Sequence, residues 1–137
     1  MPDHPVLMHT VLDAVDVRGL AEFYRELLGL HYRAGDEVPV GEDDADWLVL
    51  VDARGRRVLA FQEEPALTRS TWPSADVPMQ LHLDFRVPSV EELERHRRRA
   101  QELGASLLLD RTDELDEPLY VLGDPEGHPF CLLVGTA

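Results

Sequence analysis

Six histidines and a single cysteine are the metal-seeking and nucleophilic side chains of this 137-residue sequence, and two of the histidines occupy matching places in it. His9 is followed seven residues on by Asp16 and a helical pattern; His82 is followed seven residues on by Ser89 and a second helical pattern. Two neutral imidazoles brought toward a common cleft are typical ligands of a divalent metal ion. Around His82 the polar residues Gln80, His82, Asp84 and Arg86 alternate with Leu81, Leu83, Phe85 and Val87, so a strand here has one polar and one apolar face. Such a polar face supplies the few groups a ligand cavity needs; the same alternation also describes a sheet face that meets water. Cys131, within Phe130-Cys131-Leu132-Leu133-Val134, reads either as a thiolate ligand or as a small buried hydrophobe. Trp47, Phe61, Trp72 and Tyr120 offer flat walls for a planar ligand or, equally, packing in a core or subunit interface.

The elements that must position these groups follow from periodicity. Val6 to Val15 reads as a strand, Asp16 as an N-cap, and Val17 to Leu28 as an amphipathic helix closed by Gly29. Leu30 to Arg33 predicts a short strand, Gly35 to Asp46 an acidic loop, and Trp47 to Val51 with Arg57 to Gln62 a strand pair across the turn-like Asp52-Ala53-Arg54-Gly55. Glu63 to Pro78, with Pro65, Pro73 and Pro78, is a connector. The order then repeats. Met79 to Val87 predicts a strand, and Ser89 with Glu92 caps a helix over 89–103 that stops at Gly104. Ala105 to Leu109, Leu119 to Leu122 and Pro129 to Val134 are three more strands, with Asp110 to Glu117 a second acidic loop. In the second helix Glu91/Arg95 and Glu94/Arg98 fall at i,i+4, and the run Arg97, Arg98, Arg99 suits the cationic end of the helix surface better than a nucleic-acid site.

His82 follows His9 by 73 residues, and Asp124-x-x-Gly127 follows Asp52-x-x-Gly55 by 72, so two independent landmarks give nearly one offset. The sequence therefore predicts one domain over 1–137 made of two βαβββ modules, 5–64 and 77–136, joined by a connector at 65–76. A single helix cannot cover both faces of such a module's sheet, so two modules bury surface together or enclose something between them.

Composition narrows the partners. A net charge of −14 and a pI near 4.6 repel phosphate backbones and anionic lipid, which argues against nucleic acid and membrane partners and favours a cationic ligand. No apolar run reaches the roughly 20 residues of a membrane-spanning helix. One cysteine allows no internal disulfide, and Met1 to Pro5 lacks the pattern of a secretory signal, so the cytoplasm is the expected compartment. Glycine loops for phosphates, a G-x-S-x-G elbow and paired zinc-ribbon cysteines are all absent.

The stretches His9-Thr-Val-Leu-Asp-Ala-Val-Asp16, Ala21-Glu-Phe-Tyr-Arg-Glu-Leu-Leu-Gly29, His82-Leu-Asp-Phe-Arg-Val87 and Asp124-Pro-Glu-Gly-His-Pro-Phe-Cys-Leu132 resemble the vicinal oxygen chelate (glyoxalase/bleomycin-resistance/dioxygenase) superfamily, and within it a glyoxalase-like subgroup, over essentially the whole chain. The resemblance implies an α+β fold in which two βαβββ modules form a saddle-shaped mixed sheet around a central cavity, and often a homodimer. In metal-dependent relatives the first and last strands of each module carry the ligand positions, and a last-strand glutamate is typical. His9 and His82 match the first-strand positions as metal ligands. Cys131 stands where the glutamate is expected, and the first module's counterpart, near Leu59 to Gln62, has no carboxylate before Glu63.

The expected cofactor is accordingly a divalent ion (zinc, nickel, iron or manganese) or none; two imidazoles alone make a weak site, so less than one equivalent of tight metal is expected. Gln80, Trp72, Asp84, Arg86 and Cys131 are the expected ligand-binding residues. Two functions remain in view: a metal-dependent lyase, isomerase or dioxygenase acting on a small molecule, and a metal-free protein that sequesters a cationic or planar antibiotic-like compound in an acidic cleft.

Overall fold

Strand β1 (Thr10–Ala14) opens the computed structural model, which describes residues 3–135. The chain divides into two compact units, Met1–Leu67 and Thr68–Ala137, each with its own sheet and helix. In the first, β1 is followed by helix α1 (Val17–Leu28) and by β2 (His31–Tyr32), β3 (Trp47–Val51) and β4 (Arg57–Glu63). The sheet order is β1-β4-β3-β2, with β1 parallel to β4 and the other pairs antiparallel.

Helix α1 has the predicted ends. The Asp16 carboxylate accepts from Gly19 N at 3.0 Å, and Gly29 closes the helix at φ 67°, a conformation that costs glycine least. Val17, Leu20, Ala21, Phe23, Tyr24 and Leu27 form its buried face against β3 and β4, where Tyr24 stacks on Phe61 with ring centroids 6.0 Å apart. Each fully buried Leu or Phe here, such as Leu20, Leu48 and Phe61, contributes roughly 1.5–3 kcal/mol by leaving water.

The acidic loop between β2 and β3 has no regular structure, but it is tied down. Arg18 reaches across to the Asp43 carboxylate at 2.7 Å and the Asp36 carbonyl at 2.6 Å, while the Asp36 side chain accepts from Val49 N at 2.9 Å.

The second unit repeats the plan with β5 (Leu83–Val87), α2 (Val90–Glu102), β6 (Ser106–Arg111), β7 (Leu119–Gly123) and β8 (Pro129–Val134) in the order β5-β8-β7-β6. Ser89 Oγ accepts from Glu92 N at 3.2 Å, as the capping pattern predicts. Only Leu93 and Ala100 of α2 are buried, so this helix is mostly charged surface. Its ion pairs differ from the predicted ones: Glu92 takes Arg95 and Glu94 takes Arg97, both at i,i+3, in place of i,i+4. The Glu94 carboxylate also accepts from the Tyr120 hydroxyl, which fixes where on the helix it sits. The architecture is thus α+β, with one helix on each of two four-stranded mixed sheets.

Both first strands start later than predicted, β1 at Thr10 and β5 at Leu83. The reason lies in their partners. β1 pairs with β4 from Thr10↔Leu59, and residues before His9 run past the turn that precedes β4. β5 pairs with β8 from Leu83↔Phe130, and Pro129 before it has no N–H to extend a ladder. His9 and His82 therefore each sit immediately at a strand entrance, and Leu81, predicted for the apolar face, is exposed.

The repeat is visible at the level of single hydrogen bonds. In the β3–β4 turn Asp52 N donates to Arg56 O, Gly55 N donates to Asp52 O, and Asp52 Oδ1 accepts from Arg54 N and Arg56 N. In the β7–β8 turn Asp124 N donates to His128 O, Gly127 N donates to Asp124 O, and Asp124 Oδ1 accepts from Glu126 N and His128 N. The fifth residue returns a cation or imidazole to the same carboxylate, Arg56 at 3.3 Å and His128 at 2.9 Å.

Candidate functional site

Parallel pairing of β5 with β8 puts Asp84 beside Cys131 on one face of the second sheet, while their neighbours Phe130 and Leu132 turn into the core. His82, two residues before Asp84, shares that face and brings Nε2 to 3.3 Å from Asp84 Oδ1. The ligand atoms of His82, Asp84 and Cys131 all lie within 4.8 Å of one another, and among the described residues they form the group of three such side chains able to share an ion. His82 and Asp84 are exposed and Cys131 is half-buried, so the group opens toward solvent.

The first unit offers an internal comparison. There β1 and β4 pair Val11 with Ala60, the places that correspond to Asp84 and Cys131. The sequence narrowed that counterpart only to Leu59 through Gln62; register fixes it as Ala60. Of three corresponding positions, the first unit keeps only the histidine. His9 is partly buried, its Nδ1 has no hydrogen-bond partner, and its ring lies 5.9 Å from Trp47. Burial, then the nearby guanidiniums of Arg57 and Arg33, lower its pKa and hold it neutral.

Electrostatics define what the cysteine can do. Burial first, then the hydrogen bond to Asp84 and the negative charges of Asp84 and Glu117, push the Cys131 thiol up to about 12. A thiol so placed is not a resting nucleophile, because nucleophilic cysteines need neighbours that stabilise the thiolate. The order of contacts agrees: Asp84 touches both the thiol and the imidazole, and its carboxylate favours the protonated form of the thiol. Coordination to a cation is the chemistry that suits a thiol, a carboxylate and an imidazole sharing a few ångströms.

Beside the group lies an open depression of about 440 Å³ lined by Asp84, Arg86, Glu117, Leu133 and Gly135. Arg86 shares the depression with Asp84, but the close side-chain contact of Asp84 is with His82. Gln80 is exposed in the segment before β5, and Trp72 is half-buried in the connector, its backbone N–H donating to Ser70 Oγ; neither lines the depression. Phe61 and Tyr120 belong to the cores. Glu117 was not singled out from the sequence, where it merges into the acidic run that it ends. In a second depression, about 360 Å³ beside α1 and β2, Glu22 accepts from Tyr32 at 2.6 Å and from Arg25 at 2.7 Å.

A family described as glyoxalase-like domain matches residues 9–133. No curated protein matches the chain significantly. Among solved structures, a possible glyoxalase from Bacillus cereus is 18% identical with a TM-score of 0.63, over 93% of this chain and 97% of that one. A glyoxalase/bleomycin resistance protein/dioxygenase family enzyme from Burkholderia phytofirmans PsJN gives 18% and 0.66 over 93% and 96%. The fosfomycin resistance protein FosX from Listeria monocytogenes gives 18% and 0.68 over 97% and 95%, and has also been solved with Mn(II) and sulfate. At these identities the structures establish shared fold, and the match over residues 9–133 establishes kinship: this chain belongs to the glyoxalase-like domain family.

Proposed function

We propose that this protein binds a small molecule on the polar sheet face of its second unit, at a divalent metal centre held by His82, Asp84 and Cys131, as a metal-dependent lyase, isomerase or dioxygenase. The observation that carries the reading is the convergence of three different ligand types within 4.8 Å on one strand pair, at places where the first unit has Val11 and Ala60. A divalent ion there supplies polarisation of a ligand oxygen. Arg86, lining the adjoining depression, orients the polar or anionic end of the ligand, and Leu133 gives it an apolar wall. Gln80 and Trp72 are proposed as outer contacts. In the first unit His9, whose neutral ring has an unpartnered nitrogen, is proposed as a candidate metal ligand.

We also propose a cytoplasmic homodimer. Val6, Leu7 and Met8 are 75%, 85% and 61% exposed, an apolar stretch that favours a covering partner. Among the described residues no helix is long and apolar enough to cross a membrane.

Elemental analysis and ligand-induced thermal shifts for the native protein, His9→Ala, His82→Ala and Asp84→Ala test this reading. One equivalent of metal in the native protein, lost in His82→Ala and Asp84→Ala, supports it. A second reading, metal-free sequestration of a cationic or planar compound, is favoured by Asp84 and Glu117 on the depression. Thermal shifts with cationic aromatic compounds in a protein that retains no metal select that reading.

A further inference from the structure

We infer that the metal centre of the second unit is a thiolate site selective for zinc over manganese, its carboxylate supplied sideways by Asp84 on β5 because β8 carries Cys131. The inference rests on the metal-centre reading above and adds the identity of the ion and the role of the cysteine.

Three observations on the strand pair lead there. Cys131 is the register partner of Asp84, so a side chain from each strand meets on one face without any loop rearrangement. His82 sits two residues along from Asp84 on the same face and already touches its carboxylate, at 3.3 Å. The three donors are nitrogen, oxygen and sulfur, and all lie within 4.8 Å of each other, a span that small inward rotations of exposed side chains close onto one ion.

The donor set then decides the metal. Soft thiolate with imidazole and a single carboxylate matches four-coordinate zinc, with one position left for water or ligand. Manganese is low in the order of divalent affinities and prefers oxygen-rich octahedral surroundings, which three donors including a sulfur do not supply. The manganese-bound FosX structure therefore shares this chain's fold without being a guide to its ion.

Cobalt(II), which takes tetrahedral zinc sites, reports on the sulfur directly. Metal-free full-length protein titrated with Co(II) is expected to show an intense sulfur-to-cobalt charge-transfer band in the near ultraviolet. Cys131→Ser should abolish that band, whereas Asp84→Asn should retain it while weakening binding on the order of tenfold or more, the loss typical of a removed metal-supporting group. Zinc should displace the bound cobalt at concentrations on the order of a hundredfold below those needed of manganese. Cobalt bound by the native protein without the band, a Cys131→Ser variant that binds zinc as tightly as native, or manganese competing as well as zinc each overturns the thiolate assignment while leaving a metal centre in place. Failure of the native protein to bind any of the three ions removes the metal-centre reading itself, and the inference with it.

Discussion

Asp84 on β5 and Cys131 on β8 face each other across a parallel strand pair, and the carboxylate of one accepts the thiol hydrogen of the other. With its pKa pushed up to about 12, the thiol is almost wholly protonated at pH 8. Metal-free protein is therefore expected to react with iodoacetamide on the order of a thousandfold more slowly than a free cysteine, following its thiolate fraction. Asp84→Asn removes the negative charge and should speed the reaction severalfold. Alkylation of native Cys131 at the rate of free cysteine contradicts the hydrogen bond to Asp84 and the protonated resting thiol.

The two D-x-x-G turns make the same hydrogen bonds in different surroundings, which separates the bonds from their burial. Asp124 is completely buried and satisfies two backbone N–H groups and His128 Nδ1. Asp124→Ala leaves these donors without an acceptor and should cost about 2–4 kcal/mol in urea denaturation. Asp52 has the same partners at a solvent-facing turn, so Asp52→Ala should cost clearly less, water replacing the lost acceptor. Equal losses at the two positions would show that turn geometry, and not burial, sets the cost.

How much of this was legible beforehand depends on whether neighbours in sequence or across strands decide it. Helix α1 announced both its ends through Asp16 and Gly29, because caps are local. The offset from His9 to His82 exposed the duplication, and Asp84 and Arg86 were placed on the polar face by alternation alone. The starts of β1 and β5 were not legible, since they depend on where β4 and β8 begin. The ligand group needed cross-strand register too: at the expected glutamate position Cys131 read either as a thiolate ligand or as a small hydrophobe, and only its pairing with Asp84 reveals a carboxylate one strand away. On α2 the Glu94 pair is with Arg97 at i,i+3 in place of i,i+4, and Glu94 is also held by Tyr120, distant in sequence.

Gly127 and Gly55 occupy equivalent turn positions at φ 95° and 78°, yet their surroundings differ. A Cβ at Gly55 meets nothing within 4 Å, whereas one at Gly127 falls 2.4 Å from Arg69 Cγ, whose guanidinium is anchored to Pro125 O at 2.7 Å. Gly55→Ala should therefore cost about 1 kcal/mol, the backbone term alone, and Gly127→Ala roughly 1–3 kcal/mol more. Adding Arg69→Ala to Gly127→Ala should recover most of the difference. Thermal or urea denaturation of the three variants reads the result, and no recovery in the double variant would refute the connector arginine as the obstacle.

His96 on α2 supplies a pH dependence whose sign is fixed. Burial first, then Arg95, with Arg99 adding to it and Glu92 opposing, lowers its pKa below the ordinary 6.5. Its Nε2 lies 3.2 Å from Arg95 Nη2 and 3.4 Å from Glu92 Oε2, so the neutral ring can accept from the guanidinium, an arrangement protonation destroys. The unfolded chain thus takes up a proton more readily than the folded one, and stability must rise with pH through this range. The stabilisation from the neutral ring is fully present above pH 6.5 and is lost as pH falls through the lower folded value. His9 is shifted the same way and adds to the slope. The melting temperature of metal-free protein should therefore decline between pH 7.5 and pH 5.5, above the range where most carboxylates titrate. His96→Gln should flatten part of that decline, and His9→Gln with His96→Gln most of it. A melting temperature that rises on acidification in the native protein, or an unchanged slope in the double variant, would show that these two rings are not the groups taking up the protons.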